Sequence, residues 1–421
     1  MSTNKNIERM KTCICCGSDD LTQVLDLNEQ PLANSYHDNT KELEKYPLGL
    51  NLCNNCTHLQ LTHCVNPDLL FKDYLYVSGT SQTLKNNMEW FANWVLDNHY
   101  RDVCRNVLDI ACNDGTQLDY FKNFQSVYGW NPNTYGIDPA ENLYEDCKNK
   151  GHNIQCCYFG EHKTDDFPEE GFDVIIAQNV FAHNRDAKKF LQDCSKLMHE
   201  DSVLYIQTSQ ANMILENQFD TIYHEHLSFF NINSMNRLVL GSHSGLELTE
   251  VHKSPVHGIS YIFVITKNQN RIENSTFGMQ NHFNIEQVKG LYDIKTYDNY
   301  RENVLKITRD FTYEIESAKE DDYTIIGYGA AAKGMTFLNF ADVQLDYIID
   351  DNPLKQNLYT PGTNIEIKSI ELLEQYDTDG KILFVPLAWN FYDEIKTRIL
   401  KVRDNENDRF LRYFPSVKVE K

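Results

Sequence analysis

The sequence predicts an α/β protein in which a small cysteine-bearing N-terminal unit precedes two Rossmann-like units. Three observations support this: two Cys-x-x-Cys pairs near the N-terminus, a strand–loop–helix segment that begins at residue 106, and a strand–glycine turn–helix segment that begins at residue 324. Strands that alternate with helices form mainly parallel sheets covered by helices on both faces. The 421 residues are enough for two or three domains of roughly 150 residues each.

The composition limits the classes of partner. The chain is 41% hydrophobic and 24% charged, which is typical of globular proteins. Its formal net charge is −22 and it has no long block of Lys or Arg, so we expect neither nucleic acid nor an anionic membrane surface as a partner. The polar N-terminus and the absence of a long apolar run favour a cytoplasmic protein. We expect a monomer rather than an oligomer.

The first unit, residues 1–68, has the spacing of a zinc site. The expected ligands are Cys13, Cys16, Cys53 and Cys56. Four thiolates in two Cys-x-x-Cys pairs suit tetrahedral zinc with every position filled, which is the arrangement of a structural site. Gly17 follows the first pair, where the backbone must approach sulfur closely. Other side chains remain possible ligands: Cys15 inside the first pair and, as weaker substitutes, Cys64, His58 and His63.

The second unit, residues 69–249, has strands alternating with helices. An apolar strand at 106–110 runs into a tight loop and then a helix, so that backbone N–H groups at the helix start can face a ligand. The next strand, 134–137, ends in Asp138, whose carboxylate is placed to accept hydrogen bonds from ribose hydroxyls. Two more strands are expected around 172–177 and 202–206, with an amphipathic helix at 186–198 between them.

The glycine pattern of the loop indicates which cofactor it binds. A dinucleotide fold requires Gly-x-Gly-x-x-Gly, and here only Gly115 is present. The loop instead resembles the motif of class I methyltransferases that use S-adenosylmethionine, with Ala111 where glycine is usual. Asn179 follows the fourth strand at the sheet edge where ligands bind. The residues expected to bind the methyl donor are Asp109, Ala111, Asn113, Asp114, Gly115, Asp138 and Asn179.

A cluster of titratable side chains follows the fifth strand, at Tyr223, His224, Glu225 and His226. Histidine titrates near neutral pH, and a neighbouring carboxylate or phenol can tune or relay its proton. The cluster is therefore a candidate for proton transfer, although perturbed groups also occur in structural hydrogen-bond networks. His183, which follows the fourth strand, is open to the same two interpretations.

The third unit, residues 250–421, contains a second ligand-binding pattern. A strand at 324–328 leads into a turn with Gly327 and Gly329, and a second strand ends in Asp350 about twenty residues on, a spacing that favours NAD. Four residues rather than two separate Gly329 from the last glycine, Gly334, and Lys333 adds a cation suited to phosphate. We therefore expect a phosphate-bearing ligand at a helix N-terminus, and stacking of a base or sugar on residues 389–391.

Together these segments resemble one family, the sugar-nucleotide C-methyltransferases that add a methyl branch at C3 of a 4-keto-deoxysugar. The resemblance extends over nearly the whole chain. It rests on the four cysteines and on the segments 74–81, 223–230, 327–334, 361–363 and 387–390. It implies a structural zinc ion in the first unit, S-adenosylmethionine in the second, and a Rossmann-like third unit that binds the nucleotide-linked sugar.

The resemblance also implies a mechanism, in which a base removes the proton at C3 and the resulting enolate takes the methyl group. His226 is the implied base and Glu225 would orient or tune a neighbouring imidazole. Tyr223 and Tyr76 would donate to the enolate oxygen or relay the proton, and His183 or His224 would be a further donor. The implied substrate-binding residues are Gly329, Lys333, Asn390 and His257.

Two departures from the family pattern are visible. The usual His-Gly-Gly-Ser-Leu-Arg is replaced at 257–262, which removes a glycine and an arginine that could bind an anion through two hydrogen bonds. Gln207 replaces a frequent acidic residue. The alternatives are an O- or N-methyltransferase on the same scaffold, an NAD-dependent sugar-nucleotide oxidoreductase or epimerase, and a zinc-containing binding protein without enzymatic activity.

Overall fold

A computed structural model describes residues 6–72, 77–80, 82–99, 104–124, 131–254, 260–267, 275–376 and 380–421. Two of the predicted site residues, Tyr76 and His257, lie outside these ranges. Within them, no helix combines the length and the apolar character needed to cross a membrane.

The N-terminal part is antiparallel β-structure around the cysteines. Its elements are β1 (Ile7–Arg9), β2 (Leu21–Gln30), β3 (Tyr46–Cys53), β4 (Leu59–Leu61), β5 (His63–Val65) and α1 (Asp68–Phe71). β2, β3 and β4 are neighbours in one sheet, while β1 pairs with β5. β3 is buried along almost its whole length, which shows that this small sheet is covered by other parts of the chain.

The central part contains a large, mainly parallel sheet. Its elements are α2 (Gln82–Trp94), β6 (Asn106–Ile110), α3 (Thr116–Lys122), β7 (Asn133–Ile137), α4 (Tyr144–Asn149), β8 (Asn153–Gln155), β9 (Phe172–Gln178), α5 (Ala187–Leu197), β10 (Met198–Thr208), β11 (Ser228–Phe229), α6 (Ile232–Gly241), β12 (Glu247–Lys253) and β13 (Tyr261–Thr266). The strand order is β12-β13-β10-β9-β6-β7-β8, and β13 is antiparallel to both neighbours. The order reverses between β6 and β9, the point outside which such sheets bind ligands.

Local sequence explains the central elements. β6 and β9 are almost continuously apolar and buried, as expected for inner strands of a sheet covered on both faces. The side chain of Asp186 accepts a hydrogen bond from the backbone N–H of Lys189 and so caps α5. Asn231 and Ser234 form a capping box at the start of α6. These side-chain caps therefore fix the residues at which α5 and α6 begin.

The C-terminal part contains a second Rossmann-like sheet. Its elements are α7 (Ser275–Val288), α8 (Ile294–Glu320), β14 (Thr324–Tyr328), α9 (Ala332–Ala341), β15 (Tyr347–Ile349), β16 (Ile367–Lys368), β17 (Ile382–Pro386), α10 (Tyr392–Val402), β18 (Arg409–Arg412) and β19 (Lys418–Glu420). The order β16-β15-β14-β17-β18-β19 is the 3-2-1-4-5-6 order of doubly wound folds, with β19 antiparallel. The predicted fold class is confirmed; the predicted domain boundaries remain a prediction.

One feature connects the three parts. β11 lies in the chain between β10 and β12 of the large sheet, yet it pairs with β4 and completes the N-terminal sheet in the order β11-β4-β3-β2. Upstream of it, the buried ring of Phe219 stacks on Phe337 and lies edge-on to Phe414, both in the C-terminal part. The segment from 219 to 229 therefore lies between the N-terminal sheet and the C-terminal domain.

Candidate active site

The four predicted zinc ligands meet in one place. The Sγ atoms of Cys13, Cys16, Cys53 and Cys56 lie within 4.8 Å of one another. The Cys13–Cys56 and Cys16–Cys53 Sγ distances are 3.5 and 3.6 Å. Tetrahedral zinc with Zn–S bonds of about 2.3 Å places sulfurs about 3.8 Å apart, so the thiol positions fit this metal with no open coordination position. The predicted structural zinc site is confirmed.

The two cysteine pairs adopt the same turn. Gly17 N–H donates to the carbonyl of Cys13, and Thr57 N–H donates to the carbonyl of Cys53, at 2.8 and 2.9 Å. Gly17 and Thr57 both have positive φ angles, of 78° and 59°. Only the glycine was recognisable from the sequence, because a threonine in this conformation is unusual. The fifth thiol, Cys15, is fully buried and lies outside the group of four.

A cavity of about 1290 Å³ lies at the carboxyl ends of β6, β7 and β9. It brings together eight of the predicted donor-binding and catalytic residues: Asp109, Ala111, Asn113, Asp138, Asn179, His183, His224 and Glu225. Asp109 is in β6, the next four follow the carboxyl ends of the parallel strands, and the last three belong to the candidate catalytic set. Its remaining wall includes residues 6–14 and 64–67 of the N-terminal part. The cavity is therefore shared between the large sheet and the zinc-binding part.

Asp138 is fixed at the floor of this cavity by backbone groups. Its two carboxylate oxygens accept hydrogen bonds from Asn113 N–H and Ala140 N–H, each at 2.8 Å. Burial raises the pKa of Asp138, while these two hydrogen bonds lower it. Burial also raises the pKa of Asp109, with a further increase from the charges of Asp138 and Asp114. The expected ligand, S-adenosylmethionine, carries a positively charged sulfonium and a positively charged ammonium group. The acidic side chains of Asp109 and Asp138, which line the cavity, therefore fit this cofactor.

Two predicted donor-binding residues face elsewhere. The Asp114 carboxylate accepts hydrogen bonds from Gly79 N–H and the Thr116 hydroxyl, at 3.2 and 2.7 Å. Gly115, with a φ of 75°, provides the left-handed turn before α3 and packs against the thiol of Cys147. Asp114 and Gly115 therefore shape the loop from behind rather than lining the large cavity.

Ala111 and Asn113 adopt left-handed backbone conformations, with φ angles of 63° and 52°. A left-handed conformation costs roughly 1–2 kcal/mol for a residue with a Cβ atom. The alanine found where glycine is usual is therefore in the glycine conformation. The loop keeps its shape, and the backbone strain is compensated by other contacts, such as the 2.7 Å hydrogen bond from Ala111 N–H to the Ile137 carbonyl.

Tyr223 and His226 form a hydrogen-bonded pair. The Tyr223 hydroxyl lies 2.8 Å from His226 Nε2, and the Thr221 carbonyl oxygen lies 2.9 Å from His226 Nδ1. A carbonyl can only accept, so Nδ1 carries the proton and Nε2 accepts from the phenol. Burial lowers the pKa of His226 well below its usual value, and the charges of His183 and Lys333 lower it further. The imidazole is therefore neutral near pH 7, with its lone pair directed at Tyr223.

His183 stacks on this imidazole. The two ring centroids are 5.3 Å apart, and Phe71 of the N-terminal part also stacks on His183 at the same distance. Burial lowers the pKa of His183 to about 4. Its Nε2 atom is buried without a hydrogen-bond partner among the described residues. An unpaired, neutral imidazole nitrogen that lines the cavity is suited to contact a ligand.

His224 and Glu225 both reach the N-terminal part. His224 Nε2 donates to the carbonyl oxygen of Tyr46 at 3.2 Å, and burial lowers the pKa of His224 to about 4. Glu225 is buried, and its Oε1 accepts a hydrogen bond from the Asn34 amide at 2.6 Å. Asn34 carries no motif, and its contact with Glu225, 191 residues away, could not be found from the sequence.

The glycine-rich turn of the C-terminal domain is fixed by its neighbours. The two carboxylate oxygens of Asp350 accept from Ala330 N–H and Asn352 N–H, at 2.7 and 2.8 Å. The Ala330 carbonyl accepts from the hydroxyl of Tyr36 and the ammonium of Lys355, at 2.6 and 2.7 Å. Asp350 therefore holds the glycine-rich turn in the same way that Asp138 holds the loop after β6.

Lys333 and Trp389 lie where the C-terminal domain meets the 219–227 segment. The Lys333 ammonium is 5.5 Å from the centre of the Trp389 ring, and Trp389 Nε1 donates to the carboxylate of Asp220 at 2.6 Å. Asn390 is next to Trp389 and lines a smaller cavity of about 420 Å³. Gly329 has a φ of 94°, and a Cβ there would lie 3.0 Å from Ala388 Cβ. Gly329 therefore has a conformational role.

The zinc ligands can be separated from the buried fifth thiol by substitution. Cys56→Ser removes one of four ligands, so zinc content should fall from one ion per chain to near zero, and the melting temperature should fall with it because structural zinc contributes folding energy. Cys15→Ser should retain zinc, because Cys15 is not among the four. Elemental analysis of both purified variants measures this; equal zinc loss in the two variants would show that the ligand set is wrong.

Three family models match successive parts of the chain. One described as "Putative zinc binding domain" matches residues 13–71, "Methyltransferase domain" matches 76–251, and "C-methyltransferase C-terminal domain" matches 255–415. Among curated proteins, the C-methyltransferase NovU of Streptomyces niveus is 26% identical over 392 residues, a match that covers 91% of this chain and 90% of NovU.

Solved structures give weaker matches. The plantazolicin methyltransferase BpumL in complex with SAH matches with a TM-score of 0.35 and 13% identity, over 44% of this chain and 83% of BpumL. An S-adenosylmethionine-dependent methyltransferase from Clostridium acetobutylicum matches with a TM-score of 0.33 and 14% identity, over 45% of this chain and 93% of that one.

The three matched domains follow the order of the three parts of the structure and account for nearly all of the chain. The four-thiolate site lies in the first and the cavity with Asp109 and Asp138 in the second. The chain belongs to the S-adenosylmethionine-dependent C-methyltransferases that combine a zinc-binding domain, a methyltransferase domain and a C-methyltransferase C-terminal domain.

Proposed function

We propose that this enzyme methylates C3 of a nucleotide-linked 4-keto-deoxysugar, with Tyr223 and His226 acting together as the base. The observation that supports this most directly is the 2.8 Å hydrogen bond between the Tyr223 hydroxyl and His226 Nε2, with Nδ1 held by the Thr221 carbonyl. Methylation at carbon requires a carbon nucleophile, and the hydrogen next to a ketone is one that a side-chain base can remove. The Tyr223–His226 pair can accept one proton and therefore fits the removal of the hydrogen at C3.

The proton movements balance as follows. The Tyr223 oxygen takes the C3 proton while the Tyr223 hydroxyl proton passes to His226 Nε2, which leaves an imidazolium and an enolate. The enolate carbon is then the nucleophile for the methyl group that S-adenosylmethionine would supply, with the sulfur as leaving group. The imidazolium charge is compensated by the Thr221 carbonyl dipole at Nδ1. His226 then returns the proton to Tyr223 as the site releases a proton to solvent.

The methyl donor is assigned to the large cavity. S-adenosylmethionine supplies an electrophilic methyl group when it is bound there. Asp138, at the end of β7, is placed to accept from ribose hydroxyls, as in other Rossmann-like sheets. Asp109, Ala111, Asn113 and Asn179 line the same cavity, whereas Asp114 and Gly115 maintain the loop.

The remaining candidate residues surround the acceptor. His183, with its unpaired Nε2, lines the cavity and stacks on His226, and it is assigned to donate to the enolate oxygen. His224 also lines the cavity, but the one proton of its neutral ring is donated to the Tyr46 carbonyl, so His224 is assigned a positioning role. Glu225 is assigned to orient or tune a neighbouring imidazole, and its own carboxylate is held by the hydrogen bond from Asn34. Tyr76 remains a predicted donor outside the described residues. Neutral imidazoles can donate through one nitrogen only, so tautomer control matters at each of them.

The nucleotide part of the substrate is assigned to the C-terminal domain. Lys333 is in the first turn of α9, whose N-cap Ala331 has no side-chain cap, so backbone N–H groups and an ammonium are available to a diphosphate. Gly329 permits the turn before the helix, and Asn390 and His257 remain predicted contacts.

The proposed function is consistent with the other expectations from the sequence. A nucleotide-linked sugar is a substrate that a cytoplasmic, monomeric enzyme without nucleic-acid or membrane partners can use.

Donor binding distinguishes the two Rossmann-like sheets. Asp138→Ala should weaken S-adenosylmethionine binding by about tenfold or more, because it removes a ligand-facing carboxylate and releases the Asn113 backbone. Asp350→Ala is the matched control, since Asp350 is the equivalent acid at the end of β15 and supports its own loop. Isothermal titration calorimetry measures both. Donor binding that is lost in Asp350→Ala but kept in Asp138→Ala would show that the donor binds to the C-terminal sheet and not to the large sheet.

Proton abstraction can be measured without methylation. In D2O, with S-adenosylhomocysteine in place of the donor, the wild type should exchange the C3 hydrogen of a 4-keto sugar nucleotide. Tyr223→Phe and His226→Gln should lower both exchange and methylation by about 10²–10⁴-fold, the usual contribution of a general base. His243→Gln, at an exposed histidine after α6, should leave both rates unchanged. Full exchange by His226→Gln would remove His226 from the base, and O- or N-methylated product without any exchange would support the alternative reactions.

The pH dependence follows from the pKa of His226. Burial lowers this pKa well below 6.5, so the imidazole stays neutral and able to accept a proton at pH values where a free histidine is half protonated. We therefore expect kcat/KM for methylation to remain high as the pH falls through 6.5 and to decline only at lower pH. Steady-state rates between pH 4.5 and about 8 measure this. An acid limb with its midpoint above 6.5 would contradict the assignment.

A further inference from the structure

Asp220 is a buried carboxylate that the roles above do not use. It is 0% exposed, and its Oδ2 accepts the indole N–H of Trp389 at 2.6 Å. Its Oδ1 is buried and has no hydrogen-bond partner among the described residues. An incompletely satisfied carboxylate in the interior costs free energy, so a neutral residue of similar size would be expected here unless the hydrogen bond serves a purpose.

Asp220 immediately precedes the residue that fixes the base. The Thr221 carbonyl accepts the Nδ1 proton of His226 at 2.9 Å, which determines the tautomer and the ring orientation. Only a few covalent bonds separate the Asp220 carboxylate from that carbonyl. Movement of Asp220 therefore moves the acceptor of the His226 proton.

Asp220 is also connected to the C-terminal domain by more than Trp389. The preceding residue, Phe219, stacks on Phe337 with ring centroids 5.2 Å apart. The hydroxyl of Tyr300 donates to the Gln218 carbonyl at 2.9 Å. The Trp389–Asp220 hydrogen bond adds a side-chain contact to this stacking and to the hydrogen bond of the Gln218 carbonyl.

Lys333 completes the group. Its ammonium lies 5.5 Å from the centre of the Trp389 ring. Burial raises the pKa of Asp220 and lowers that of His226, and the positive charge of Lys333 opposes the first shift and adds to the second. The lysine assigned to the acceptor, the indole, the carboxylate and the base are therefore neighbours at one junction between domains.

We propose that Asp220 is a positioning residue: by accepting the Trp389 indole N–H, it sets the Thr221 carbonyl, and hence the His226 imidazole, relative to an acceptor bound on the C-terminal domain. The proposal rests on the proposed base role of His226. Misplacement of a reacting group by about 1 Å can cost 10²-fold in rate. We expect the loss of this hydrogen bond to lower the methylation rate on this scale.

The test removes the hydrogen bond while keeping an aromatic ring at the junction. Trp389→Phe should lower kcat for methylation by about 10–100-fold and leave S-adenosylmethionine affinity within about twofold of wild type, because the donor cavity does not include Trp389. Trp90→Phe, at a partly exposed tryptophan on α2, is the matched control and should change neither quantity. Asp220→Asn keeps an oxygen acceptor and should retain most of the activity, whereas Asp220→Ala should resemble Trp389→Phe.

A spectroscopic readout separates positioning from folding. In ¹⁵N-labelled enzyme, the His226 ring should show the Nδ1–H tautomer in wild type and Asp220→Asn, and a mixture of tautomers in Trp389→Phe. Unchanged kcat and tautomer in Trp389→Phe, or an equal loss of donor binding and kcat, would overturn the proposal. Full activity of His226→Gln would instead remove the base assignment itself, so the two failures can be told apart.

Discussion

The pairing of β11 with β4 is the interaction on which the active site depends. The Leu227 carbonyl, one residue after His226, accepts from Leu61 N–H at 2.9 Å, and Ser228 lies opposite Gln60 in the sheet. The zinc-binding sheet therefore continues directly into the proposed catalytic turn.

The zinc ion has a role in this arrangement beyond stabilising a short segment. The turn that carries Cys53 and Cys56 is hydrogen bonded to the start of α6: Asn231 donates to the Thr57 carbonyl at 2.7 Å, and Asn233 donates to the Cys56 carbonyl at 3.1 Å. Residues beside Cys13 line the donor cavity. One metal centre thus fixes both a wall of the donor site and the far end of the catalytic segment, while Asp220 and Trp389 fix the near end.

Much of this protein was predictable because its chemistry is encoded locally. The cysteine pairs, the two strand–loop–helix segments and the Tyr223–His226 cluster are each contained in a few consecutive residues, and the fold class and zinc ligands follow from them. The orientation of Asp114 away from the cavity was not predictable, since a motif gives the position of a residue but not the direction of its side chain. Nor were the contacts of Asn34 and Asp220, which join residues 191 and 169 positions apart and leave no periodic signal in the sequence.

The central claim is that the methyl group is delivered to carbon by a base assembled from Tyr223 and His226. The most direct measurement is NMR of the product formed from S-adenosylmethionine labelled with ¹³C in the methyl group and an acceptor 4-keto sugar nucleotide uniformly labelled with ¹³C in the sugar. The account predicts a methyl carbon with one-bond carbon–carbon coupling to C3, and no such product from His226→Gln. A methyl carbon bonded to oxygen or nitrogen, without that coupling, would contradict it.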